Sequence, residues 1–404
     1  MIPEDWDLDQ LGNLTNRVGS GITPTGGEKV YTKEGRPFIR SQNVGWGELQ
    51  LSDLAFITDE IHKTFATSEI EEGDVLLNIT GASIGRSAVA DPRIAGGNVN
   101  QHVCEIRTER QKLEPKYLNY YLLSVSGQGQ IDSFQAGGNR QGLNYNQIRS
   151  FTIPLPRLPE QRAIAAALSD ADGLIGALDA LIEKKRAIKQ AAMQQLLTGK
   201  KRLPGFTGEW ETKRLGEVAS IRNQKILPSN VDPDMLCVEL EHIGQGNGQL
   251  LAISTAQNST SSKYRFFTGD VLFGRLRSYL RKFWHADRDG ICTTEIWPLV
   301  VDASQVDSGF LYTIVQSDRF VEAASISYGT HMPRADWSVM KNFEVCLPSL
   351  PEQTAIAAVL SDMDAEIAAL ERRREKAEQI KQGMMQQLLT GRIRLPSVGE
   401  ANDQ

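Results

Sequence analysis

LPEQRAIAAALSDADGLIGALDALIEKKRAIKQAAMQQLLTG, residues 158–199, returns as LPEQTAIAAVLSDMDAEIAALERRREKAEQIKQGMMQQLLTG at 350–391. Extended to 151–204 and 343–396, the two stretches match without a gap at about 33 of 54 positions, at a constant offset of 192. Outside them the halves resemble each other only faintly. Trp6 followed by Leu11-Gly12 parallels Trp210 followed by Leu215-Gly216, and the GDVL of 73–76 recurs at 269–272. The order is variable, near-identical, variable, near-identical. A period near 200 residues is a domain duplication and not a solenoid. One scaffold is used twice, with two different functional parts attached.

Each repeated segment reads as one long helix. Pro159 and Pro351 suit a first helical position, where no amide hydrogen is needed. Glu160 and Glu352 follow in the first turn, favourable to the helix dipole. Gly199 and Gly391 close the helices, with Pro204 and Pro396 beyond. Apolar residues step by 4 and 3 in between: Ile164, Leu168, Ala171, Ile175, Leu178 and Ile182, then Ile356, Leu360, Met363, Ile367 and Leu370. That is a coiled-coil seam, faltering around Lys185 and Arg374. Two readings stand: each helix packs on its own globular domain, or the two pair antiparallel with pseudo-two-fold symmetry. Paired, they form a rod of roughly 58 Å at about 1.5 Å per residue.

The chain has 404 residues, too many for one ordinary core. With 40% hydrophobic and 23% charged residues it has a soluble globular composition. No run of 18 apolar residues exists and the acidic start MIPEDWDLDQ lacks an apolar signal core. A cytoplasmic protein without a membrane span is expected. Cys104, Cys237, Cys292 and Cys346 are scattered, as are the five histidines, so reduced thiols and no metal site are expected.

Net charge is −6, which does not advertise a nucleic-acid binder. By segment it is about −5 for 1–150, +3 for 151–209, −1 for 210–342 and −3 for 343–404. Local clustering matters more, because phosphate contacts need cations on one face and not a basic average.

The variable segments 1–150 and 210–342 carry short β-type runs, such as Val75-Leu76-Leu77, Val271-Leu272-Phe273 and Phe151-Thr152-Ile153. Helical patterns appear at 115–126 and 308–322. Each reads as a mixed α+β domain. Their polar clusters hold the residue types that read base edges: Arg for guanine, Asn and Gln for adenine, Ser or Thr for either. These are Arg40-Ser41-Gln42-Asn43, Asn139-Arg140-Gln141 and Asn223-Gln224-Lys225. In GRLRSYLRK at 274–282, a strand would set Arg275, Arg277, Tyr279 and Arg281 on one face, suited to phosphate and base contact; a solvated edge strand looks the same. Thr23, Thr25, Asn78, Arg86, Gln101, His331 and Arg334 join them as DNA-binding candidates.

Catalytic motifs are missing. There is no N-P-P-[YF] methyltransferase motif with a glycine-rich cofactor loop, and no P-loop. GQGNG at 244–248 reads as a turn, and Glu114-Pro115-Lys116 as a helix start. Nothing such as G-x-S-x-G supports a hydrolytic triad.

Two variable domains, each followed by an LPEQ…MQQLLTG helix, resemble the specificity subunits of type I restriction–modification systems. TPTGGEKVYTKEGRPFIRSQNV (23–44), NVNQHV (98–103), GGNRQGLNYNQIRSFTIPLPRLPEQ (137–161) and YGTHMPRADWSVMKNFEVCLPSLPEQ (328–353) add to the resemblance, which spans essentially the whole chain. It implies an α+β fold: two mixed α/β target-recognition domains, 1–154 and 205–346, separated by helical regions, 155–204 and 347–404, that form an antiparallel coiled coil. Each recognition domain would read one half of a split DNA site, and the helices would set the spacer and dock two modification subunits. S-adenosylmethionine would sit on those subunits; restriction/translocase subunits would use ATP and magnesium. This chain itself would be non-catalytic and bind no cofactor. The alternative is a coiled-coil scaffold carrying two ligand- or protein-binding domains.

Overall fold

Both repeated segments are helical from end to end. Leu158–Leu196 and Leu350–Leu388 are each one helix of 39 residues in the computed structural model, which describes residues 2–135, 142–326 and 333–395. They stop at Gly199 and Gly391, both at φ +69°. Just past each stop, the Lys201 and Ile393 amides reach back to the carbonyls of Gln195 and Gln387, at 3.2 and 3.3 Å. This is the helix-closing bond that a left-handed glycine permits.

Packing divides the chain into two compact units, Met1–Ala177 with Arg373–Gln404, and Leu178–Arg372. The division runs through both long helices. Each unit holds the start of one helix and the end of the other.

In the first unit, Asp7–Gln10 pairs antiparallel with Thr152–Leu155, tying together the two ends of the globular part. A four-stranded antiparallel sheet runs in the order Thr15–Ser20, Val103–Thr108, Val75–Asn78, Ser87–Val89. A three-stranded sheet has Arg36–Ile39 between Ala55–Ile57, antiparallel, and Asn98–Val99, parallel. The core gathers Trp6, Leu11, Val75, Leu77, Tyr117 and Phe151.

The second unit repeats this plan. Glu211–Arg214 pairs with Glu344–Leu347. The four-stranded sheet is Ala219–Ile221, Ile296–Val301, Val271–Gly274, Phe283–His285. The other sheet keeps the central parallel pair, Leu236–Val238 with Gly290–Thr293, and the antiparallel neighbour Ser254–Thr255. It is extended to five strands by Lys263–Phe266 and Lys225–Ile226. Topology is therefore duplicated even where sequence is not. Strands form at the runs expected around 75–77, 151–153 and 271–273, but the helical patterns at 115–126 and 308–322 each break in two, at Ser124 and Ser317. Their hydroxyls cap the following helix by accepting from the Gly127 and Phe320 amides.

The helix pairs are antiparallel within both units. In the first, Asp172 meets Lys381 at 2.5 Å and Glu160 meets Arg394. In the second, Lys189 meets Asp364 at 2.5 Å, Arg186 meets Glu371 at 2.6 Å, and Arg202 meets Glu352. As one residue number rises, its partner's falls. The two readings of the seam both hold, at different positions. Ile164 and Leu168 pack in the first unit's globular core beside Leu388 and Leu389, and Ile356 and Leu360 in the second beside Met193 and Leu196. Leu178, Ile182 and Ile367 are buried further along. Ile175, Met363 and Leu370 are only half-buried, so the seam is thinner there than the heptad pattern implies.

Candidate nucleic-acid interface

The GDVL motif builds the same hairpin twice. Gly73 and Gly269 turn the chain at φ +91° and +88°. The buried carboxylates of Asp74 and Asp270 accept from the backbone amides of Glu71 and Phe267, at 2.7 and 2.9 Å, closing the turn. Each also takes a two-pronged contact from an arginine: Arg107 on Asp74, Arg222 on Asp270. Beside Asp74, the buried Glu105 contacts Arg17 and Arg107, both at 2.8 Å. Burial and the Asp74 carboxylate push Glu105 up to about 7, against the pull of the two arginines.

In the first unit most candidate readers are committed to the fold. Asn43 is buried, donating to the carbonyls of Gln50 and Asp53. Asn78 is buried and donates to the carbonyls of Ser41 and Val44. These two are corrections: an asparagine that holds a turn or a strand end from inside cannot reach a base. Arg40 and Gln42 both bind Asp53, and Arg40 also lies over the Tyr31 ring. Ser41 is half-buried. Thr23, Gln101 and His102 form a hydrogen-bonded chain ending on Thr80. Thr23, Thr25 and Gln101 are exposed, and Arg86 is half-buried, its Nε without a hydrogen-bond partner among the described residues. Asn139, Arg140 and Gln141 lie outside the described residues, as does His331 of the second unit.

In the second unit Asn223, Gln224 and Lys225 are exposed at the edge of the five-stranded sheet. The segment 274–282 is not a strand. Arg277 and Arg281 adopt left-handed backbone, φ +51° and +52°, and a single 3-10 turn, Ser278–Leu280, lies between them. Left-handed backbone in a residue with a Cβ costs about 1–2 kcal/mol. The four side chains therefore do not share a face. Arg275 stacks over Trp297, and Arg281 pairs with Asp318. Arg277 and Tyr279 stay exposed at the tip, with no side-chain partner among the described residues. Arg334 is engaged by Glu295 through three bonds of 2.9–3.0 Å. Sequence reading missed Arg265, whose guanidinium shares the Phe267 ring with Arg222.

It also missed what the scaffold residues do, although their identity across the repeat was visible. Gln161 and Gln353 are buried. Gln161 accepts from the Glu114 amide and donates to the carbonyls of Lys112 and Pro156; Gln353 does the same with Asp307, Gln305 and Pro348. Each bolts a long helix to the globular part before it. Arg202 and Arg394, one repeat apart, bind Glu352 and Glu160 and lie over the Trp210 and Trp6 rings.

A groove accompanies the end of each long helix. Gln382, Met385, Gln386, Leu389, Thr390 and Arg392 form one of about 420 Å³ with residues 123–126 of the first unit. Gln190, Met193, Gln194, Leu197, Thr198 and Lys200 form one of about 320 Å³ with residues 317–319 of the second. Five of these six helix positions are identical and the sixth is a cation in both. Among the described residues no helix is long and apolar enough to cross a membrane.

Comparison with known proteins agrees in both sequence and fold. A family model described as the type I restriction modification DNA specificity domain matches residues 3–186 and again 207–382. The chain is 26% identical to the putative type I restriction enzyme MjaX specificity subunit of Methanocaldococcus jannaschii and 23% identical to that organism's MjaVIII specificity subunit. Both alignments cover 98% of this chain and 95% of the relative. Among solved structures, the type I restriction–modification S subunit of M. genitalium superposes with a TM-score of 0.60 at 16% identity over 96% of each chain. A chain from a study of complex assembly and conformational transition in a type I R-M system gives 0.58 at 19%, covering 97% of this chain and 100% of that one.

Proposed function

The chain belongs to the type I restriction–modification DNA specificity family, and from that premise we propose that it is the DNA-reading subunit of such a complex. Each unit's globular part reads one half of a split, asymmetric site. The duplication carries this reading: one topology built twice, bearing different exposed polar residues, on near-identical helical segments. Divergent readers suit two different half-sites. The two matching grooves suit two copies of one partner, and the family reading makes that partner the modification subunit.

The chain works without a catalytic centre of its own, in the cytoplasm where the DNA lies. S-adenosylmethionine belongs to the modification subunits, and ATP and magnesium to the restriction/translocase subunits. The long helices set the unread spacer. A 39-residue helix is about 58 Å long, enough to serve readers one DNA turn, roughly 34 Å, apart. The net negative charge of residues 1–150, about −5, means that DNA affinity leans on the partner subunits.

Exchange of residues 1–150 for the matching part of another family member, in the assembled complex, tests the division of labour. Only one half of the methylated motif should change. A change in both halves would contradict it.

A further inference from the structure

The two hairpin loops correspond residue for residue at an offset of 196. In the first unit the Asn78 amide bonds to the Arg86 carbonyl, and the loop's left-handed positions are Gly81 and Gly85, at φ +71° and +86°. In the second the Gly274 amide bonds to the Lys282 carbonyl, and those positions are Arg277 and Arg281. The same turn is thus made once with the residue that suits it and once with two that do not.

For Arg281 the fold supplies a reason. Its guanidinium binds Asp318, which also takes Gln190 of the first long helix. For Arg277 the described residues supply none. The backbone is held, its amide donating to the Pro333 carbonyl at 2.8 Å. Ser278 beside it is buried and donates to the Ala324 carbonyl at 2.9 Å. The Arg277 side chain leaves this anchored tip into solvent, with Tyr279 52% exposed two residues on. Space does not decide the residue type either, since a Cβ on Gly81 would meet nothing within 4 Å. Unfavourable backbone kept at an anchored, exposed arginine marks a required direction for the side chain. A phosphate contact imposes no such requirement, because a flexible exposed cation can meet a phosphate from many directions.

We propose that Arg277 enters the DNA groove and reads a guanine in the half-site belonging to the second unit, with Tyr279 packing beside it. Arginine presents paired donors to guanine O6 and N7, a contact that separates the right base from the wrong one by about 5- to 150-fold. This rests on the DNA-specificity reading and adds a residue to it.

The test uses the full chain co-expressed with the modification subunits, with methylated sites mapped for the parent, R277G and R277K. Thermal unfolding of R277G should match the parent or lie slightly above it, because the turn then holds its preferred residue. Its motif should lose one specified base pair in one half only, and R277K should lose the same one. An unchanged motif in R277G, whether methylated fully or uniformly less, overturns the assignment alone. Absence of any split motif in the parent overturns the DNA-specificity reading and the assignment with it.

Discussion

Asparagine and arginine are where residue type and residue role part company in this chain. Asn43 and Asn78 have the chemistry of adenine readers, but the same donors and acceptors also satisfy buried carbonyls, and that use prevails. Arg40, Arg281 and Arg334 are neutralised by Asp53, Asp318 and Glu295, which lie 13 to 39 positions away in sequence, beyond the reach of local patterns. Glu105 yields a prediction at this scale. Its carboxyl is raised from an ordinary 4.5 to about 7, so between these values the folded chain binds more protons than the unfolded one. Stability from this group is present at low pH and lost as pH rises through the window. The parent's unfolding midpoint should therefore fall more between pH 5 and 8 than that of Glu105→Gln. Equal slopes would remove Glu105 as the cause.

At the scale of elements, the long helices were legible almost to the residue, since proline starts, glycine stops and 3-4 spacing are local signals. The seam was read too simply: Ile164 and Leu168 serve a globular core while Leu178 and Ile182 lie on the seam further along, and periodicity does not distinguish the two. The 274–282 loop was misread because Arg-Leu-Arg-Ser-Tyr alternates like a strand, and no glycine announces its left-handed positions. The reciprocal Arg202–Glu352 and Arg394–Glu160 pairs make helix pairing testable. Glu352 is fully buried, so Arg202→Met should clearly lower the midpoint of denaturant unfolding, by leaving that carboxylate uncompensated. The double variant Arg202→Met/Glu352→Met should recover much of the loss. Additive losses would mean that the pair is not coupled.

At the scale of the whole molecule, the duplication was the strongest signal in the sequence. It carried the fold class, the helix pairing and the two-reader organisation. The bases read were not legible, because readout depends on loop geometry and on DNA shape. If the helices act as a ruler, four residues inserted within 159–198 should change the spacer between half-sites or abolish assembly. Normal activity with an unaltered spacer would remove the ruler. The central claim is met most directly by co-expressing the chain with a type I modification (methyltransferase) subunit and mapping methylated adenines across the host genome. The account predicts a split motif, two short specified halves about one helical turn apart. Failure of the two proteins to form a complex, with no methylated motif, would contradict it and favour a scaffold carrying two other binding domains.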